Sequence, residues 1–255
     1  MKNTARKISS LLLLASALTP TALADWQVAE TQREPTSAAA ITHVRYELSH
    51  RGESATIDLA LFQSKAVRLH VIDNAGGNEN LADAMAREKC VAGVNGGYFD
   101  PQFRPIGLRI IDSALTSPLV RARLLTGVLV SSARGWEIFR PGEFSRKKKY
   151  ESAIQCGPFL IDNGASIRGL DDTRSARRTF AAVAKNGEAC LGVASALTLA
   201  QLADALTCLP APKIARALNL DGGSSTAFWL RRESGGAVSM REWKNVRDFV
   251  GVAPR

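Results

Sequence analysis

The chain has 255 residues, 45 % of them hydrophobic and 22 % charged, with a formal net charge of +9. That length and apolar content exclude a disordered chain and allow one large domain or two small ones with a full core. The positive charge admits anionic partners such as lipids, phosphorylated sugars or nucleic acid, and equally plain solubility.

Residues 1–24 read as a secretory signal peptide, with cleavage after Ala24. Lys2, Arg6 and Lys7 precede the apolar run ISSLLLLASAL, and Ala22-Leu23-Ala24 is a small-x-small site. The apolar run is too short for a membrane span, and no transmembrane segment is expected elsewhere. The expected location is periplasmic or secreted. Residues 25–40 lack periodicity and read as a lead-in to a domain over 41–255.

ATIDLALF (55–62) and AVRLHVI (66–72) alternate as strands of a hairpin-like pair. NENLADAMAREKC (78–90) has helical spacing with Asn80 as N-cap. VAGVN (91–95), PIGLRII (105–111), LLTGVLV (124–130), WEIF (136–139) and AIQCGPFLI (153–161) read as strands. SRKKKY (145–150) reads as a solvated basic loop, so nucleic acid is not an expected partner. TFAAVA (179–184) and ACLGVAS (189–195) flank the turn Lys185-Asn186-Gly187, a hairpin signal. TLAQLADALTC (198–208) is a helix opened by a Thr198/Gln201 capping box. ARALNL (215–220) and STAFWL (225–230) are further strands. Strands outnumber helices without regular alternation. The expected fold is α+β, with a mixed, mostly antiparallel sheet, two main helices and a single domain.

The four cysteines form no C-x-x-C motif and lie far from the three histidines, so a zinc site is not expected. In an exported chain they read as disulfides, Cys190 with Cys208 and Cys90 with Cys156.

Three loops have the composition of a ligand site. In VNGGYFDPQF, Asn95 ends a strand, Gly96 and Gly97 permit close approach, Tyr98 and Phe99 offer a stacking face, and Asp100 adds a carboxylate. CGPFLIDNG bends at Gly157-Pro158. NLDGGSST places Asn219 and Asp221 two apart, hence on one face of a strand, before Gly222, Gly223 and the hydroxyls of Ser224, Ser225 and Thr226. Asp221 could instead cap its own turn. The chain has no G-x-S-x-G elbow, no phosphate-binding P-loop and no EF-hand. Carboxylate, amide, hydroxyl and arginine chemistry remains, which suits a sugar or a phosphate better than a peptide.

VNGGYFD, PIGLRI, AIQCGPFLIDNG, SARRTFAAV, TLAQLADAL and ALNLDGGSST occur in an order that resembles the phosphodiester glycosidase family, from about residue 85 to 230, with KNVRDFVGVAP as a closing strand. The resemblance implies a hydrolase that splits a sugar from a glycosyl phosphodiester, on a mixed α+β fold with these loops gathered around one pocket. It assigns catalytic work to Asp221, Arg178 and Asn219. Asn95, Gly96, Gly97, Tyr98, Asp100, Gly157, Thr179, Gly222, Gly223, Ser224 and Ser225 are expected to bind substrate. Asp221 would serve the anomeric carbon and Arg178 the phosphate. No cofactor or metal is expected. A non-catalytic carbohydrate- or envelope-polymer-binding protein on the same fold is the alternative.

Overall fold

Strand-forming alternation dominates residues 25–255, the part of the chain that the computed structural model describes. The expected signal peptide, residues 1–24, lies outside the described residues. The described residues begin with β1 (Gln27–Pro35), β2 (Ile41–His50), β3 (Glu53–Gln63) and β4 (Val67–Asp73), then helix α1 (Leu81–Arg87) and β5 (Ala92–Asn95). There follow β6 (Arg109–Ile111), β7 (Ala114–Ser117), β8 (Gly127–Ser132), β9 (Gly135–Phe139) and β10 (Ser152–Cys156). The last part holds β11 (Phe159–Asp162), β12 (Ala165–Ser166), β13 (Ala176–Ala184), β14 (Glu188–Leu197), helix α2 (Leu199–Cys208) and β15 (Ile214–Asn219), then β16 (Phe228–Arg231), β17 (Ala237–Met240) and β18 (Asp248–Pro254).

The strands form three sheets. One has eight strands in the order β1-β2-β3-β14-β13-β15-β11-β12; two have five, in the orders β7-β6-β10-β8-β9 and β17-β16-β5-β18-β4. Every described strand pair is antiparallel. The protein is a single α+β domain built from three sheets. Its main core lies between the eight-stranded sheet and the other two: Phe62, Leu129, Phe159, Leu191, Leu218, Phe228 and Val250 pack there. Helix α2 covers the other face of the large sheet through Leu202, Ala203 and Leu206. Helix α1 covers the β5–β18 layer through Leu81, Ala84 and Met85.

Both helices start where local chemistry dictates. The Asn80 side chain accepts from the Asp83 N–H. At α2 the Thr198 hydroxyl accepts from Gln201 N while Gln201 Oε1 accepts from Thr198 N, a closed capping box. The β13–β14 hairpin turns at Gly187, which takes φ +86°.

Four expectations need correction. Residues 27–35 of the assigned lead-in are strand β1, paired along β2 on the large sheet's edge. Its side chains are mostly exposed, so no apolar period marks it. β3 and β4 are not a hairpin: β3 pairs with β2 and β14, and β4 with β18 in another sheet. AIQCGPFLI is two strands, β10 and β11, in different sheets, because Gly157-Pro158 carries the chain between layers. The proposed disulfides are absent. Cys90, Cys156, Cys190 and Cys208 are free thiols. Cys90 packs beneath α1 and Cys156 in the main core, so their sulfurs belong to different apolar clusters. Cys190 is fully buried in the α2 layer, and Cys208 lies half-buried at the edge of that layer, unbonded to it.

Candidate active site

Asn95 ends β5, Gly157 follows β10, Thr179 lies near the start of β13, and Asn219 ends β15. These strands come from all three sheets, so the loops meet where the sheets converge. Phe180 stands opposite Asn219 in the β13–β15 pair, which brings the start of one strand to the end of the other.

A buried hydrogen-bond network fixes the junction. Asn95 is fully buried; its Nδ2 donates to the Asp221 carbonyl at 2.7 Å. Its Oδ1 accepts from Thr179 Oγ1 at 2.7 Å and from Ala227 N at 3.0 Å. The Asp221 N–H donates to the Gly96 carbonyl at 3.1 Å, and Leu220 N to the Thr179 carbonyl at 2.8 Å. Asp221 is therefore clamped by both backbone groups to the Asn-Gly-Gly turn. Nδ2 of Asn219 reaches the carbonyls of Gly157 at 3.1 Å and Leu220 at 2.6 Å, and the Tyr98 hydroxyl at 3.2 Å. That hydroxyl donates to the Gly157 carbonyl at 2.7 Å, and burial pushes its pKa well above the ordinary range.

Asp221 sits one residue beyond Leu220, past the end of β15, and is half-buried. Oδ1 accepts from its neighbour Gly222 N at 2.9 Å. Oδ2 has no hydrogen-bond partner among the described residues. Burial raises the carboxyl above its ordinary value; the nearby Ser225 hydroxyl, the Lys244 ammonium and the Gly222 N–H pull it back. The Ser225 hydroxyl is buried close by without completing a hydrogen bond. Gly223 takes φ +64° and faces open space: a Cβ there would meet no atom within 4 Å. The carboxylate thus has one committed oxygen, one free oxygen, and unobstructed backbone beside it.

Lys244 acts on this carboxylate, and Arg177 and Arg178 approach the glycine turn beside it. Arg178, in β13, is held by two backbone carbonyls: Nε donates to that of Leu197 at the end of β14 at 2.8 Å and Nη2 to that of Arg174 at 2.5 Å. Nη1 is left unused by the described residues. Its aliphatic stem approaches Gly222, and burial lowers the guanidinium's pKa while Tyr98 and Asp171 counter that. Three groups here were not singled out in the sequence. Arg177 reaches towards the Gly223 carbonyl at 3.5 Å and stacks on the Trp243 ring, 3.8 Å from its centroid. Trp243 is 75 % exposed, and its N–H donates to the Ser224 carbonyl at 2.8 Å. Lys244 lies 5.0 Å from the Phe99 ring centroid. The available signal was the Arg-Arg doublet of SARRTF and a tryptophan between charges in REWKN.

Beneath the turn lies another missed residue. Asp248 is 1 % exposed; Oδ1 accepts from Gly97 N at 2.7 Å and Oδ2 from Arg109 Nη1 at 2.9 Å. Burial raises its pKa to about 6, against the pull of Arg109 and the Gly97 N–H. A Cβ on Gly96 would stand 2.0 Å from Asp248 Oδ1, so only glycine fits. A Cβ on Gly157 would stand 2.1 Å from the Leu124 carbonyl.

The expected site residues therefore divide. Gly222, Gly223 and Ser224 adjoin Asp221 in the chain, the Arg178 stem approaches Gly222, and the Tyr98 hydroxyl joins Gly157 and Asn219. Asn95, Thr179 and Asn219 are buried to 2 % exposure or less, and they position the others rather than meet a ligand. Ser225 is buried with them. Asp100 stands apart in function: its carboxylate accepts from Gln102 N, Arg104 N and Arg104 Nε, all within its own loop. Among the described residues no three His, Cys, Asp or Glu side chains converge as a metal site would. A fixed carboxylate among cations can stabilise a developing positive centre while the cations hold an anionic leaving group.

A family model described as phosphodiester glycosidase matches residues 88–253. No curated protein matches the chain in sequence. Among solved structures, the catalytic domain of zebrafish N-acetylglucosamine-1-phosphodiester alpha-N-acetylglucosaminidase, auto-inhibited by its pro-peptide, is similar with a TM-score of 0.64 and 17 % identity, over 91 % of this chain and 89 % of that one. A hypothetical protein from Synechocystis is similar with a TM-score of 0.59 and 15 % identity, over 85 % of this chain. The match spans 62 % of the Synechocystis protein's length. At these identities the likeness is one of fold.

Proposed function

The chain belongs to the phosphodiester glycosidase family, and from that premise we propose that it is an exported hydrolase that cleaves the sugar–oxygen bond of a glycosyl phosphodiester at Asp221. The carrying observation is the Asp221 carboxylate, clamped through both backbone groups, with one oxygen free beside open glycine backbone and cationic side chains.

The bond between the anomeric carbon and the phosphate oxygen breaks. Its electron pair leaves with the phosphate, which departs as a phosphomonoester. Water supplies the oxygen that joins the anomeric carbon and releases one proton. Asp221 stabilises the positive charge that develops at that carbon, through its free oxygen. A phosphate leaving group is already acidic and needs no proton donor. That fits a site whose other expected carboxylate, Asp100, is committed to its own loop. Arg178 holds the phosphate through its uncommitted Nη1, its head already anchored by two carbonyls, so little freedom is lost on binding. Export rests on the leader at residues 1–24, with a mature start at Asp25 as the expected reading by mass spectrometry.

Hydrolysis of a panel of glycosyl phosphodiesters in 18O-labelled water tests the reading. The label is expected in the released sugar and not in the phosphate. Label in the phosphate would mean cleavage of the phosphorus–oxygen bond, and binding without turnover would mean a carbohydrate-binding protein on this fold.

A further inference from the structure

The basic run SRKKKY, residues 145–150, takes no part in the Asp221 constellation. It closes over a cavity of about 560 Å³ whose apolar wall includes Leu108, Ile110, Leu115 and Tyr150. Leu108 and Tyr150 belong to a small cluster with Val128 and Val130, and Phe144 stacks on Tyr150 with centroids 5.0 Å apart. Leu115 is 58 % exposed, a large apolar side chain left open to water. The volume is that of a small-molecule pocket.

Arg146, Lys148 and Lys149 line the same cavity and are exposed. None of the three pairs with a carboxylate among the described residues. Lys148 instead lies 5.5 Å from the Phe139 ring centroid. The third observation is Tyr150 itself. The residue is 5 % exposed, and its hydroxyl is buried with no hydrogen-bond partner. The Ser145 backbone stands close to it without completing one, and burial raises its pKa. Its ring, packed on Phe144, adds to the apolar wall of the cavity.

From this combination we infer that the cleft is a second binding site, for a lipid with a phosphate head. Its hydrocarbon chain lies against Leu108, Ile110 and Leu115. Its phosphate meets Arg146, Lys148 and Lys149. A nucleic acid fits less well. It needs exposed aromatic faces on which bases stack, whereas the two aromatic rings of the lining, Phe144 and Tyr150, are stacked on each other. No lining residue belongs to the Asp221 constellation, so the site stands whatever reaction occurs there.

Calorimetric titration with a twelve-carbon lysophosphatidylglycerol below its micelle concentration tests the inference. Glycerol phosphate, a neutral twelve-carbon maltoside and a short single-stranded oligonucleotide serve as comparisons. One-to-one binding of the lysolipid is expected, with each comparison ligand at least about tenfold weaker. Leu115→Asp and the triple variant Arg146→Ala/Lys148→Ala/Lys149→Ala should each weaken lysolipid binding about tenfold or more at unchanged Tm, since each cation near an anionic lipid contributes severalfold. Equal binding of glycerol phosphate would reduce the site to an anion patch. Equal binding of the maltoside would reduce it to an apolar patch, and tighter binding of the oligonucleotide would make it a polyanion surface. No lysolipid binding, or full affinity in either variant, also overturns the inference.

Discussion

Asn95, Asn219 and Asp221 stood out as candidates in the sequence because each lies at or just past a strand end near a glycine pair, whereas Arg178 and Thr179 came from the family resemblance. Their division of labour was not legible, because it depends on burial. Asn219 looked like a partner of Asp221 on one strand face, yet β15 stops at Asn219 and its amide is turned inward on Gly157 and Leu220. Arg177 near the start of β13, Asp248 at the start of β18 and Lys244 in the loop before it reach the site by approaches that no local pattern announces. At this scale Arg178 offers a sharp test. Lysine cannot reproduce a guanidinium held by two carbonyls that still presents a free nitrogen. Arg178→Lys is expected to slow cleavage of a glycosyl phosphodiester by roughly ten- to a thousandfold, the loss of a charge-assisted contact. A neutral aryl glycoside of the same sugar should be slowed far less. Steady-state kcat/KM on both substrates decides the point, and equal losses would remove Arg178 from the phosphate.

The Asn-Gly-Gly turn after β5 is the element on which the site depends. It gives the Gly96 carbonyl to Asp221 N, and the Gly97 N–H to the buried Asp248. Gly96→Ala drives a methyl into the Asp248 carboxylate and should cost about 3 kcal/mol or more, through overpacking and a disturbed buried ion pair. Gly223→Ala meets no atom and should cost only the left-handed backbone strain, about 1–2 kcal/mol. Denaturant unfolding of the two variants should show that order; the reverse order would mean that the turn is not packed as described. Both helices and the β13–β14 hairpin were readable from caps and turn chemistry. Partners were not readable for β3 and β4, because alternation tells which face of a strand is buried and not which strand lies beside it. β1 escaped notice since an edge strand with exposed side chains has no apolar period.

Three sheets, rather than one, are what scatter the cysteines. An even count in an exported chain suggested pairing, but the layers place Cys90 and Cys156 in separate apolar clusters. Denatured protein prepared without reductant should therefore label at four thiols. Native protein should label first at Cys208, because burial pushes Cys90 and Cys190 up to about 12 and Cys156 higher still. Two or fewer reactive thiols after denaturation would restore the disulfides. Stability should also carry the signature of Asp248. Its folded pKa of about 6 lies above the unfolded value of about 3.9, so its protonated form favours the fold. That contribution is complete below the unfolded value and is lost as pH rises through about 6. The Tm of the wild type should fall relative to Asp248→Asn between pH 4 and 6.5 and run parallel above; parallel curves throughout would mean that the carboxyl is not raised.

The central claim is that the clamped, half-free carboxylate of Asp221 performs the chemistry and is not a turn cap. Replacing it by Asn keeps the shape of the side chain and removes the charge that burial already disfavours. Release of sugar from a glycosyl phosphodiester, measured alongside thermal unfolding for the wild type and Asp221→Asn, tests this directly. Turnover should disappear while Tm stays equal or rises, as expected where a residue serves function at a cost to stability. A variant that retains most of its activity, or one that unfolds, would contradict the account.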